Sequence, residues 1–245
     1  MEVHAHAHTE RKKWHHYFWE FFMLFLAVTL GFLVENQRER LVEKRRERQY
    51  VHSFVVDVRN DIHQIDSLIN YCQKRNVWMD SLVLLLDAPD PDVYGRDIYY
   101  YARYLTLVAA FFNTDRTIQQ LKNGGNLRLI EKQDVSDAIM DYDRQVRFIE
   151  NIHEREEEYI REYIKWLEVT CDGRVFNTMV VKGFGFIRPE GSPRLMKKDK
   201  PTMIEFITRI HFLRSANAFM NLNYNKLRQF ALNSLTIIKK EYHIE

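Results

Sequence analysis

An all-α fold, one N-terminal transmembrane helix continuing into an antiparallel bundle of long helices, is predicted for this chain by three observations. Only 8 glycines and 5 prolines occur among 245 residues, well below the roughly 12% of average usage, so the tight turns of a β-sandwich or barrel lack their residues. The run Tyr17–Val34, YFWEFFMLFLAVTLGFLV, carries a single charge, Glu20, over 18 residues. Beyond it, apolar residues recur at alternating steps of four and three, the spacing of a helix buried along one seam. A hydrophobic content of 46% excludes collagen-like, low-complexity and wholly disordered chains, and the length suits one or two domains with a real core.

The elements follow in order. Residues 1–16 form a His-rich basic tail. Residues 17–34 are the transmembrane helix, at the short end of the roughly 17–25 residues that cross a bilayer. Trp14, Tyr17 and Trp19 supply the aromatic belt of a membrane interface. A cleaved signal peptide is the competing reading, but Gly31-Phe32-Leu33-Val34 has no A-x-A-like site. Residues 35–50 are a charged helical stretch in which Glu35, Glu39, Glu43 and Glu47 alternate with six Lys/Arg, a solvated face laced with i,i+4 pairs. Residues 51–245 are the bundle. Its first helix has the seam Val51, Val55, Val58, Ile62, Ile65, Ile69, Cys72, resumed at Met79, Val83 and Leu86, and stops at Asp87-Ala88-Pro89-Asp90-Pro91, where the prolines cannot continue it.

A second helical stretch is expected over Asp92–Phe112, with the cluster Tyr99, Tyr100, Tyr101, Tyr104 as a candidate ligand pocket. Thr114-Asp115 is placed to cap a short helix to Lys122, ended by Asn123-Gly124-Gly125. A long helix from about Gln133 to Val169 turns Ile139, Tyr142, Val146, Ile149, Ile160, Tyr163 and Leu167 inward. The stretch Arg174–Pro201 holds three of the five prolines and is the main irregular segment; Val175-Phe176 and Met179-Val180-Val181 are read as a small β-hairpin near 174–186. A last helix runs from Thr202 to about Lys240, with Ile207, Ile210, Phe219, Met220, Leu227, Ala231, Leu235 and Ile238 apolar.

Lys+Arg 36 against Asp+Glu 34 leaves a net charge of +2, which excludes a basic nucleic-acid binder; no nucleic-acid partner is expected. Cys72 and Cys171 form no C-x-x-C pair, so a thiol redox motif and a zinc ribbon are out; one long-range disulfide or two buried thiols remain open. Arg11-Lys12-Lys13 beside the span favours a cytoplasmic N-terminus and a periplasmic bundle, against the naive count of Lys/Arg on the far side.

The segments H-x-H-x-H-T, R-K-K-W-x-H-Y-F-W-E-F, G-F-L-V-E-N-Q-R-E at Gly31–Glu39 and T-D-R-T-I-Q-Q-L-K-N-G-G-N-L-R-L-I at Thr114–Ile130 together resemble an uncharacterised family of bacterial single-pass membrane proteins. The resemblance implies a membrane-anchored helical protein of the bacterial inner membrane and adds no activity.

Candidate chemistry is sparse. Glu20, Leu24, Ala27, Gly31 and Val34 lie on one face at heptad spacing. The Ala27-x-x-x-Gly31 pair lets two backbones approach in lipid, and a carboxylate inside the bilayer wants a partner or a wet cavity. Either Glu20 gathers on the axis of a homo-oligomer, even as an ion site, or it pairs locally with His15 or His16. His4, His6 and His8 alternate in the tail and suit Zn, Cu or Ni, against the plainer reading of a solvated tail; no other cofactor is expected. Glu150-x-x-His153 has the spacing of a di-iron ligand pair but no second copy. Gly183-Phe184-Gly185 lacks the strand-turn-helix context of a nucleotide fingerprint, and no hydrolase motif occurs. The function read from the sequence is a non-enzymatic membrane-anchored scaffold or interaction protein that self-associates through span and bundle, its partners being the lipid bilayer, its own copies and another membrane or envelope protein. The alternatives are a ligand-sensing bundle and an ion-conducting oligomer using Glu20.

Overall fold

The computed structural model describes residues 14–181, 183 and 185–244. His4, His6 and His8, with the rest of residues 1–13, lie outside the described residues. Six α-helices carry the chain: α1 Trp14–Leu86, α2 Gly95–Tyr104, α3 Arg116–Asn123, α4 Gln133–Thr170, α5 Gly173–Thr178 and α6 Lys200–Tyr242. Short 3-10 turns cover Pro91–Tyr94 and Asn126–Leu129. Two compact units are present, one up to Gln49 and one from Tyr50.

The first unit is the N-terminal part of α1. It contains the one helix segment among the described residues that is long and apolar enough to cross a membrane, and none of that window is buried. Gly31 has open space where a Cβ would stand. After the apolar run, Glu35 accepts hydrogen bonds from Arg38 at 2.5–3.2 Å, one of the exposed pairs its alternating charges predict.

The second unit is built on three long helices. Contacts between α1 and α4 rise together in number, from Phe54 with Tyr142 to Arg75 with Glu156, so these helices run parallel. Contacts of α6 run in the opposite sense. Asp66 meets Arg228 and Asp80 meets Arg214 on α1, while Ala138 meets Ser234 and Tyr163 meets Phe206 on α4. Most of the expected inward residues are buried, Val51, Val58, Ile65, Met79 and Leu86 on α1 and Ile139, Ile149, Tyr163 and Leu167 on α4 among them, while Ile62, Ile69 and Val83 of the α1 seam are half-buried. On α6, Ile207 is half-buried and Phe219 is exposed. Buried apolar groups form two clusters. One joins Val51–Cys72, Val135–Ile152 and Met220–Ile238; the other joins Met79–Leu86, Ile160–Cys171 and Met203–Leu213.

The ends of α6 follow their capping chemistry, whereas Asp115, expected with Thr114 to cap α3, makes no side-chain cap hydrogen bond there. Asp199 accepts from the Thr202 amide at 3.1 Å, Pro201 occupies the first turn, and Lys239 and Lys240 close the last turn of α6, where cations suit the dipole. Gly125, at φ 61, makes the left-handed turn after α3, the conformation that glycine adopts without steric penalty.

Two expectations are corrected. The hairpin near 174–186 is absent: Gly173–Thr178 is helical, started by Asp172, whose carboxylate accepts from the Arg174 amide at 2.9 Å. A single antiparallel bridge, Val180 with Phe186, is the only β pairing among the described residues. The second helix ends at Tyr104 rather than Phe112. Side chains of α1 bind the backbone that follows: Gln64 receives the Phe112 amide and donates to its carbonyl, Tyr71 donates to the Leu107 carbonyl, and Asp61 accepts from the Thr114 amide. Backbone groups so satisfied have no need of a helix.

Gly95 opens α2 where the chain passes under Pro193, and a Cβ at Gly95 would overlap the Pro193 carbonyl oxygen. Gly95→Ala is expected to lower stability by about 1–3 kcal/mol, the usual cost of overpacking, and to open the 187–199 segment to protease. Thermal melts paired with limited proteolysis check it; an unchanged melt and digest would refute the close approach.

Candidate functional site

At mid-height of the bundle, where the two apolar clusters meet, each long helix contributes polar residues. Arg75 of α1 and Glu156 of α4 form an ion pair with side chains 2% and 6% exposed. Arg75 also donates to the Leu105 carbonyl at 3.3 Å. On α6, fully buried Asn217 donates to the Cys72 carbonyl and to Asn76 Oδ1, both at 2.9 Å. His153 Nδ1 lies 3.5 Å from Glu156 Oε2. Burial opposes ionisation of Glu156, but His153 and Arg75 outweigh it and hold its carboxyl below the ordinary range. In turn the Glu156 carboxylate raises His153. Arg75 Nε, Asn217 Oδ1 and the Tyr224 hydroxyl are buried here without a hydrogen-bond partner among the described residues. Glu150 points to solvent, so the Glu150-x-x-His153 spacing brings no ligand pair together. Among the described residues no three His, Cys, Asp or Glu side chains converge as a metal set.

A second buried group binds the segment Thr114–Ile130 to α1. The Asp57 carboxylate accepts from the amide and the hydroxyl of Thr117, at the N-terminus of α3. Thr117 is 1% exposed, and Asp57 thus caps α3 from another helix. One turn on, Asp61 accepts from the Thr114 amide at 2.8 Å and the Tyr142 hydroxyl at 2.7 Å. Burial lifts the Asp61 carboxyl above its ordinary range against the pull of both hydrogen bonds. The Asn123–Asn126 turn is tied down in the same way, Asn126 donating to the Tyr50 hydroxyl at 3.1 Å.

The tyrosines of α2 hold the irregular segment. Tyr99 is fully buried; its hydroxyl receives the Asp172 amide at 2.7 Å and donates to the Arg194 carbonyl at 3.1 Å. Burial pushes this phenol up to about 12. Tyr104 binds the Phe186 backbone on both its amide and its carbonyl, at 3.3 Å each. Tyr100 packs on Tyr104 and Tyr101 and carries the Arg188 guanidinium 4.1 Å from its ring centroid. None of the four lines the cavity beside them, which measures about 740 Å³ and is bounded by α2, α4 and α5 through Arg103, Ile164, Leu167, Phe176 and Met196. That cavity escaped sequence reasoning because its wall comes from residues as distant in the chain as Arg103 and Met196.

In the apolar run of α1, Glu20 lies 3.1 Å from His16, one turn earlier on the same helix. Leu24, Ala27, Gly31 and Val34 are all exposed along α1. Cys72 and Cys171 are free thiols in separate apolar clusters, each pushed up to about 12 chiefly by burial, which makes them poor nucleophiles and metal ligands.

No protein-family model, curated protein or solved structure matches this chain.

Proposed function

We propose that this chain is a membrane-anchored helical interaction protein that self-associates through the face Glu20, Leu24, Ala27, Gly31, Val34. The observation that carries the reading is the apolar window of α1, wholly unburied, with Gly31 open where a Cβ would stand. A second backbone can approach closely at Ala27 and Gly31, and packing of this kind drives helix association in lipid. Exposed Phe212 and Phe219 on α6 extend the reading to the bundle. On the charges of the tail the N-terminus is cytoplasmic and the bundle periplasmic, in the bacterial inner membrane that the family resemblance implies.

Native mass spectrometry of the full chain in detergent tests this. The wild type is expected as an oligomer of fixed subunit number, and Gly31→Leu is expected to weaken association by about tenfold. A monomeric wild type, or an oligomer indifferent to Gly31→Leu, would sink the proposal.

The 740 Å³ cavity favours a second reading, a ligand-sensing bundle. Its volume falls within the roughly 300–1,000 Å³ of small-molecule sites, and its wall combines apolar surface with a few polar groups.

A further inference from the structure

The cavity bounded by α2, α4 and α5 contains a cation that its surroundings hold but do not neutralise. The Arg103 guanidinium carbon sits 4.8 Å from the ring centroid of Phe186 and 5.6 Å from that of Phe176. Aromatic faces attract a guanidinium, yet they offer its N–H groups no lone pair. Among the described residues no carboxylate pairs with Arg103, and its Nε is buried without an acceptor. The other charges on the wall are otherwise placed. Arg174 makes side-chain hydrogen bonds of 2.7 and 3.0 Å to Asp172 at the exposed edge of the wall. Glu168 is exposed, where water and salt screen it. Apart from Gly173 and Thr106, whose hydroxyl donates to the Arg103 carbonyl at 2.8 Å, the rest of the wall is apolar, formed by Ile164, Leu167, Cys171, Phe176 and Met196.

We infer that this cavity binds a small monocarboxylate with an apolar body, its carboxylate accepting hydrogen bonds from Arg103 and its body lying against Leu167, Ile164 and Met196. The inference rests on the ligand-sensing reading above and adds the chemistry of the ligand. A planar guanidinium fork matches a carboxylate, and the pair is charge-assisted. One unneutralised, partly buried cation suits one negative charge. The apolar residues give an aromatic or branched aliphatic body a surface from which water is excluded.

The test titrates the full chain in lipid nanodiscs with 3-phenylpropanoate and with 3-phenylpropanamide by calorimetry, subtracting empty nanodiscs. The two probes share one body and differ in charge. The acid is expected to bind about tenfold more tightly than the amide. Arg103→Gln is expected to reduce the acid to the level of the amide, while Arg103→Lys keeps a preference for the acid. Equal binding of acid and amide to the wild type overturns the carboxylate inference and leaves the ligand-sensing reading standing. No binding of either overturns both. Should Arg103→Gln fail to fold, the comparison of acid and amide on the wild type decides alone.

Discussion

Glu156→Gln is expected to destabilise the protein by about 3–5 kcal/mol, because it strands the Arg75 charge in the interior. For a domain of this size that corresponds to a fall of roughly 6–20 °C in the melting temperature. The size of the effect comes from burial, since both side chains are almost fully withdrawn from water. The attraction between them offsets a desolvation cost that neither bears alone. The double variant Arg75→Met/Glu156→Leu removes both charges and is expected to recover most of the loss, as replaced buried pairs commonly do. Thermal melts by circular dichroism on the full chain in detergent check both. A single variant within about 1 kcal/mol of wild type would mean that the pair is hydrated and contributes little.

The pH dependence carries a second signature of the same group. Glu156 is lowered in the folded protein, so its stabilisation is fully present above the ordinary glutamate value of about 4.3 and lost as pH falls through the folded value. His153 is raised, so its stabilisation is fully present below the ordinary histidine value of about 6.5 and lost as pH rises through the folded value. Their joint contribution is therefore greatest between those two ordinary values. Glu156→Gln is expected to flatten both limbs at once.

Asp57→Ala is expected to cost about 2–4 kcal/mol, through the Thr117 amide and hydroxyl that it leaves buried without an acceptor. The contact of Asp57 with Arg116 is discounted, since the Arg116 side chain is 68% exposed and a surface charge of that kind contributes little. The loss should be local before it is global. Hydrogen exchange at residues 111–123 is expected to accelerate while amides of α4 and α6 keep their protection. Asp57→Asn should lie between wild type and alanine, because an amide oxygen still accepts from one Thr117 group. Exchange unchanged in residues 111–123 would show that α3 holds its place without this cap.

The long helices were legible because each buries one stripe over many turns, so that Val51, Val58 and Ile65 or Ile139, Tyr142 and Val146 announce both the helix and its inward face. The Asp87–Pro91 stop and the Asn123–Gly125 turn were legible from backbone chemistry alone. What misled was the apolar stretch Leu105–Phe112. Its residues read as a continued helix, and the groups that draw it away, Gln64, Tyr71 and Asp61, lie dozens of residues earlier. Segment 174–186 failed for a similar reason: the Asp172 cap starts a helix in β-prone residues, and Tyr104 then holds Phe186 from across the fold. The Arg75–Glu156 pair did leave a trace. The apolar seam of α1 lapses between Cys72 and Met79, and the face of α4 lapses between Ile152 and Ile160. Two such lapses at the same height on parallel helices are the sign of a polar layer, but only once the helices are known to be neighbours. The aromatic cluster of α2 was visible as composition; that its hydroxyls are committed to the Asp172, Phe186 and Arg194 backbone was not.

The polar layer also limits how the bundle can move. Sliding α1 past α4 by one helical turn, about 5.4 Å, would carry the Arg75 guanidinium into an apolar cluster and leave Glu156 facing Cys72 or Met79. Each stranded charge would cost several kcal/mol. Rotation of α1 about its axis by a few degrees, or a gentle bend, keeps the pair together. The polar layer thus makes the bundle stiff to a piston stroke of α1 against α4.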